Sequence, residues 1–407
     1  MISGRDIVII GIQPWDIPIG SNCKNIAQEF AKKNRVLYVN EPLNRLTSYR
    51  NRKEDWVRKR KGLKKNKDAN LQKVGDNIWT LYPVKIIESI NWMPESLVYS
   101  AFNKRNNSIF YSEIKQALNH LGFNEVILFN DSLISLGLYS KEMLRPSLAI
   151  YYIRDNLISQ PYFAKHGIKA EPEIAGKYDA VVANSDFLAN YLKKYNTVSV
   201  MVGQGCDLSL FNADEVSSFP EDTANLPKPI VGYVGFLTSM RLDLEILENV
   251  AQSMKKGSLV LVGPEDEDFR KSELHNLDNV YFLGNKDASQ LPAYIASFDV
   301  CINPQVVNDM TVGNYPRKID EYLAMGKPVV ATYTEAMDYF KEHVYLSHST
   351  DEFTKLTDMA FEENSVEKSK SRIEFAKSHT WENNVKNIYE VMEYAMTQIK
   401  ANESSLG

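Results

Sequence analysis

Residues 315–331 read YPRKIDEYLAMGKPVVA: a proline-bearing loop, a short helical stretch carrying Lys318 and Glu321, a Gly-Lys-Pro turn and an apolar strand. Short β-branched runs alternate with longer amphipathic stretches on either side of it, which is the pattern of βα units around a buried parallel sheet. The surrounding series predicts strands near 230–235, 258–262, 279–283, 299–302, 328–331 and 343–346. Helices are expected near 243–255, 288–296, 318–325 and 350–361. An earlier series predicts strands near 6–12, 35–39, 125–129, 148–153, 179–183 and 198–202, with helices near 22–33, 97–120 and 186–194. Between the two lies ADEVSSFPEDTANLPKP, residues 213–229, where Pro220, Pro227 and Pro229 sit among polar residues without a helical period. That stretch reads as a linker. The expectation is an α/β chain of two doubly wound domains, 1–212 and 228–380. A last amphipathic pattern, 381–407, follows as a helix able to pack back on the N-terminal domain.

The chain has 407 residues, 44% hydrophobic and 24% charged, which excludes a collagen-like, low-complexity or wholly disordered polymer. Its net charge of −5 hides an asymmetry: residues 1–205 hold 29 basic against 19 acidic side chains, and the remainder 18 against 33. One half can therefore face an anionic partner. Cys23, Cys206 and Cys301 are widely spaced, so neither a disulfide framework nor a cysteine zinc site is indicated, and a reducing compartment fits. The apolar run in MISGRDIVIIGI is short and leads into Pro-Trp-Asp, so it reads as a buried strand rather than a leader. No stretch approaches the roughly 18 apolar residues of a spanning helix, and any membrane contact is expected to be peripheral.

The 315–331 stretch resembles the P-x-K-x-x-E-Y-L-A-x-G-K-P-V-V signature of GT-B nucleotide-sugar glycosyltransferases of the GT4-like group, including those of capsular and teichuronic acid synthesis. VYFLGNKDASQLPAYIASFDVCINP at 280–304 is similar to the block that precedes it in that family. The resemblance implies two Rossmann-like domains facing an interdomain cleft, with the carboxyl ends of both sheets turned toward it. A hinge between them would close on substrate. A helix starting near residue 317 offers free N–H groups and a positive dipole end to a diphosphate. Glu321, one turn in, can accept hydrogen bonds from ribose hydroxyls, the role that the resemblance implies; otherwise it is a solvated carboxylate on a surface helix. The family's first glutamate, eight residues earlier, is Gly313 here, which leaves the sugar open. Gly313, Tyr315 and Lys318 fall on the donor side of the motif.

VGYVGFLTSMRLDLE, 231–245, follows a strand. The resemblance places Gly235 where the diphosphate approaches the backbone and makes Arg241 a phosphate clamp, which would quench charge on the leaving group. The lysine usual five residues later is Ile246, and Lys318 can compensate in part. Asn285 is expected near the base. In the N-terminal half, the loop from Gly11 to Asn22 resembles the family's glycine loop. Trp15 can stack on a sugar, Asp16 can bind hydroxyls, and Gly20 and Ser21 close the loop on the acceptor side; ordinary packing remains the other reading of Trp15. Asp155 is the polar candidate near the donor sugar, or else a helix cap or ion-pair partner of Arg154. The catalytic candidates are thus Asp155, Arg241 and Lys318.

From Arg45 to Lys67 stand eleven Lys/Arg against Glu54 and Asp55. The segment reads either as a solvated loop or as a contact for anionic lipid headgroups or a lipid-diphosphate acceptor. Nucleic acid is not expected, since no recognition motif accompanies the charge. Asp266-Glu-Asp268 formally matches a D-x-D metal motif but sits in an acidic run that reads as solvated charge or a helix start. The six histidines lack metal-ligand spacing, and no metal or resident cofactor is expected. The implied activity is transfer of a sugar from a UDP- or GDP-linked donor to a hydroxyl of a glycan or lipid-linked acceptor, retaining and metal-independent. The expected location is the cytoplasm, with peripheral contact at the inner face of the plasma membrane. Two alternatives stay open: a nucleotide-sugar epimerase on the same architecture, and a non-catalytic nucleotide- or glycan-binding protein.

Overall fold

A strand covered on both faces needs apolar side chains at every position rather than at alternate ones. Residues 7–10, IVII, meet that demand within the fully buried β1 (Asp6–Gly11), whose leading carboxylate, Asp6, pairs with Arg35 at 2.7 Å. The computed structural model describes residues 2–16, 21–64 and 69–406. The chain divides into two units, residues 1–203 with 384–407, and residues 204–383.

Among the described residues, the first unit holds an eight-stranded sheet in the order β3-β4-β2-β1-β5-β6-β7-β8. Its strands are β1, β2 (Arg35–Val39), β3 (Leu71–Gly75), β4 (Ile78–Leu81), β5 (Ile127–Asp131), β6 (Leu148–Ile153), β7 (Ala180–Ala183) and β8 (Ser199–Met201). All neighbours are parallel except β3 and β4. Ile7 lies level with Val36 on one side and Ile127 on the other, which aligns the carboxyl ends of the central strands. The hairpin of β3 and β4 is absent from the sequence expectation because β3 is a half-exposed edge strand, LQKVG, without an apolar run.

Two further differences concern helices. Over residues 45–64 the basic stretch is folded rather than a loop: Arg45–Arg50 is a helix capped by Asn44, and Asp55–Leu63 is a second helix. Pro161–Lys177 is a helix that contains Pro172, a residue that ordinarily argues against one. Residues 384–406, most of the helix Trp381–Leu406, belong to the first unit. There Tyr389 stacks on Phe30 at 5.3 Å and its hydroxyl accepts from Asn34 at 2.9 Å. Asn384 donates to the Gly203 carbonyl at 2.8 Å.

The Pro161–Lys177 helix carries a buried carboxyl, Glu171, which accepts from the Tyr151 hydroxyl at 2.7 Å. Burial pushes its pKa up to about 7, against the pull of the Tyr151 and Tyr191 hydroxyls. Between the ordinary glutamate range and about 7 the folded chain keeps a proton that the unfolded chain has lost, so stability falls as pH rises through that window. The penalty at alkaline pH is about 3 kcal/mol on the scale of 1.36 kcal/mol per unit. Glu171→Gln should therefore flatten the loss of melting temperature between about pH 5 and 8. Parallel melting curves of wild type and variant across that range would contradict this.

The second unit holds a six-stranded, fully parallel sheet in the order β11-β10-β9-β12-β13-β14 among the described residues. The strands are β9 (Ile230–Val234), β10 (Ser258–Val262), β11 (Val280–Gly284), β12 (Val300–Asn303), β13 (Val329–Thr332) and β14 (Tyr345–Ser347). Separate apolar clusters around Tyr322 and around Leu247 pack against this sheet. Residues 204–229 pack within this unit: the Cys206 amide donates to the His379 carbonyl at 2.7 Å, and Phe211 is buried in the core. The division thus falls ahead of the proline-rich stretch.

Candidate functional site

The strand order of the second sheet reverses direction at β9 and β12: from β9 the chain moves outward through β10 to β11, then returns to β12 beside β9. At such a switch point the loops leaving neighbouring strands separate, and their carboxyl ends open into a crevice. The loop after β9 is fastened to the segment after β12. Val306 donates to the Arg241 carbonyl at 2.9 Å, and Asp243 to the Pro304 carbonyl at 2.9 Å.

Gly235 ends β9 with φ +146°, a conformation that side-chain-bearing residues rarely adopt. The missing side chain makes room for Lys318: a Cβ on Gly235 would lie 2.1 Å from Lys318 Cε and 2.8 Å from its Nζ. Behind it, Gly263 at φ +150° lets the Gly235 carbonyl approach to where a Cβ would stand, 1.9 Å away. Lys318 Nζ lies 5.6 Å from the centroid of the Tyr233 ring. Two expected donor residues that are far apart in the chain are thus packed against one another.

Lys318 is in the first turn of the helix Arg317–Ala324, whose cap, Pro316, supplies no side-chain oxygen. One turn on, Glu321 is largely covered, its side chain 14% exposed, with Oε1 3.6 Å from the Arg317 guanidinium. Burial pushes the Glu321 carboxyl above the usual carboxylate range, while Arg317 and Lys318 pull it back. The helix is fixed from behind. Asp320, fully buried, pairs with His379 Nδ1 at 2.7 Å, and the other ring nitrogen meets the Tyr339 hydroxyl at 3.0 Å. The Val234 amide donates to the Tyr322 hydroxyl at 2.9 Å, tying the helix to β9 beside Gly235.

The other expected donor residues are less closely gathered. Arg241 stands exposed on the fastened loop, and among the described residues its guanidinium has no hydrogen-bond or ion-pair partner. Asn285 is exposed just beyond β11, at the sheet edge. Gly313 is buried, and Tyr315 packs in the core against Phe340 at 5.2 Å.

In the first unit, the Trp15 amide donates to Asn40 at 2.8 Å, its ring meets Tyr38 edge-on at 5.1 Å, and Lys24 Nζ stands 5.5 Å from the ring centroid. Asp16 faces Lys59 at 3.6 Å and Arg60 at 3.8 Å. Ser21 is buried and caps the helix Asn22–Ala31 by accepting from the Lys24 amide. Gly20 lies outside the described residues. Asp155 pairs with Arg154 at 3.0 Å, and Arg154 in turn pairs with the fully buried Asp131 at 2.9 Å. Burial works against the Arg154 charge, and the two carboxylates outweigh it.

Asp131 and the Asp320–His379 pair carried no signal in the sequence, since their partners are distant in the chain. Asp266 caps the helix Glu267–Arg270 and also accepts from the Ser239 amide at 2.9 Å, the helix start rather than the solvated charge of the two readings its sequence context allowed. Among the described residues, no group of three or more His, Cys, Asp or Glu is placed to hold a metal ion. Cys206 is buried, and burial raises its thiol well above the ordinary range, consistent with packing.

Residues 228–357 match the family model described as Glycosyl transferases group 1. That segment lies within the second unit and takes in about a third of the chain. Gly235, Arg241, Lys318 and Glu321 all lie inside the matched segment. The TuaH protein of Bacillus subtilis (strain 168), whose name provisionally makes it a teichuronic acid biosynthesis glycosyltransferase, is 28% identical over 186 residues. That alignment takes in 44% of this chain and spans only 46% of the relative. Anabaena Alr3699/HepE, solved in complex with UDP, superposes with a TM-score of 0.66 at 15% identity, covering 96% of this chain and 100% of that one. Sucrose-phosphate synthase from Thermosynechococcus elongatus gives 0.58 at 15% identity, covering 99% of each chain. The chain, with its two Rossmann-like units, has the GT-B fold of these neighbours. No helix among the described residues is long and apolar enough to cross a membrane.

Proposed function

We propose that the chain transfers a sugar from a nucleoside diphosphate donor to a hydroxyl of a glycan or lipid-linked acceptor. The observation that carries this reading is the packing of Lys318 across the bare backbone of Gly235, with Glu321 one turn further along the same helix. A pyrophosphate against Gly235 would meet the Lys318 ammonium and the Arg317 and Lys318 amides at the helix start, and a ribose beyond it would reach the Glu321 carboxylate. Arg241 is the second cation of this reading.

On this account the bond from the anomeric carbon to the diphosphate oxygen breaks as the bond to the acceptor oxygen forms on the same face. The acceptor proton passes to the departing diphosphate, so configuration is retained and no protein nucleophile is needed. Lys318, Arg241 and the helix amides stabilise the charge that gathers on the leaving group, the service in which such sites contribute most. No metal is assigned to the chemistry. In the first unit Trp15, Asp16 and Ser21 are proposed for the acceptor, and Asp155, held by Arg154, for the sugars. The relative solved with UDP favours uracil as the base, with Asn285 beside it.

A thermal-shift series with UDP, GDP and their sugars tests the reading. One nucleoside diphosphate at about 100 times its dissociation constant should stabilise the protein by roughly 2.7 kcal/mol, a rise of several degrees. No shift with any of them, together with no transfer or slow donor hydrolysis, would remove the proposal.

A further inference from the structure

Three segments of the first unit leave the carboxyl ends of β2, β4 and β6, and side-chain bonds join them into one rim. The Leu46 amide donates to Ser89 Oγ at 2.8 Å, and Arg45 binds Glu88 at 2.8 Å, joining the first segment to the second. Asn91 donates to the Tyr162 carbonyl at 3.1 Å, and Lys165 to the Trp92 carbonyl at 2.7 Å, joining the second to the third. Tyr99 stacks on His166 at 3.8 Å.

Large apolar side chains stand outward along this rim: Leu97 is 90% exposed, Trp92 72%, Tyr162 65% and Ile168 63%. A single exposed leucine is ordinary, but several large side chains on interlocked segments form a patch of the kind that marks an interaction site. The Trp92 indole N–H is already satisfied by the Ser89 carbonyl at 2.8 Å, so its ring can enter an apolar layer without losing a hydrogen bond to water. Cations flank the patch. Residues 45–64 hold nine Lys/Arg against two acidic residues, and Lys104, Arg105, Lys165 and Lys169 follow on the neighbouring segments. The acidic groups between them, Glu88 and Glu95, are engaged by Arg45 and Lys169.

We propose that this rim docks the protein on an anionic lipid surface, the Trp92, Leu97, Tyr162 and Ile168 side chains entering the headgroup boundary while the surrounding lysines and arginines meet the lipid phosphates. Charge decides the occupant. A second copy of the chain would bring the same cationic surplus against itself, whereas an anionic bilayer satisfies both the apolar and the charged parts. The inference extends the basic-segment contact to a defined apolar surface and does not depend on the transferase reading.

The test is co-sedimentation of the full chain with vesicles of phosphatidylcholine alone and of phosphatidylcholine with phosphatidylglycerol, in the absence of nucleotide. Wild type should bind the anionic vesicles, weakly at high salt, and should leave the neutral ones largely in the supernatant. Trp92→Ser/Leu97→Ser/Ile168→Ser should lower partitioning by roughly tenfold or more, given the apolar area withdrawn. Arg52→Ser/Lys53→Ser/Arg58→Ser should lower it at physiological salt by a similar factor. Unchanged melting temperatures establish that both variants fold. Binding by the apolar variant equal to wild type would overturn the proposal, as would equal binding to neutral vesicles. No vesicle binding combined with a dimer that the apolar variant dissolves would assign the surface to a second copy instead. Nucleotide-induced thermal shifts, read separately, keep failure here distinct from failure of the transferase reading.

Discussion

Gly235→Ala is expected to lower affinity for the nucleoside diphosphate by tenfold to about 100-fold while leaving the second sheet folded. Two effects act together. Alanine at φ +146° strains the backbone by about 1–3 kcal/mol, which appears as a lower melting temperature. Its Cβ would also stand 2.1 Å from Lys318 Cε, and the flexible lysine must move first. A displaced ammonium loses a charge-assisted contact worth about 1.5–3 kcal/mol, which sets the fold-change in affinity. Lys318→Ala supplies the control, since it removes the same ammonium without the collision. The double variant should bind no more weakly than Gly235→Ala alone, because the two changes act on one contact. Additive losses, measured by calorimetry, would show that glycine and lysine serve the ligand separately.

Glu321→Ala should weaken nucleotide binding by about 100-fold and lower turnover with it, as loss of roughly 3 kcal/mol of hydrogen bonding to a charged group requires. Its effect on the free protein should run the other way. Burial raises the carboxyl pKa more than Arg317 and Lys318 lower it, so ionised Glu321 works against folding. A group whose folded pKa is raised lowers stability as pH climbs out of the carboxylate range. Glu321→Gln should accordingly melt no lower than wild type near pH 8, and its relative advantage should shrink on acidification. A carboxylate kept where it strains the fold is understandable if a ligand uses it. A variant that melts lower than wild type at pH 8 and binds nucleotide normally would make Glu321 structural.

The second sheet was the more legible part of the sequence because all its strands are parallel and most are buried, so β9, β10 and β12 stand out as unbroken apolar runs between glycines and prolines. The first sheet hid its β3–β4 hairpin, where half-exposed residues carry no run of that kind. The stretch from Arg45 to Lys67 allowed both a solvated loop and a lipid contact because arginine content says nothing about direction. In the structure Arg60 is 7% exposed and donates to the Glu41 carbonyl at 2.7 Å.

At the site, the spacing of residues 315–331 placed Lys318 and Glu321 on one helix, and glycine chemistry singled out Gly235. Their apposition could not be read in one dimension, since it depends on the chain returning from β11 to β12 beside β9. The Asp320–His379 pair was illegible for the same reason, joining a helix to a residue that precedes the last one. Tyr315, carried by its motif into the donor set, proves to be a core side chain, and nothing in the local sequence separates an inward tyrosine from an outward one.

The claim on which the account rests is that Glu321 holds the ribose of a nucleotide lying against Gly235 and Lys318. Calorimetry of UDP and of its 2′- and 3′-deoxy forms against wild type and Glu321→Ala tests it most directly. The account predicts that removing a hydroxyl weakens binding to wild type by roughly tenfold and makes little difference in the variant, since the hydrogen bond is already gone. The same hydroxyl-dependent loss in both proteins would contradict it.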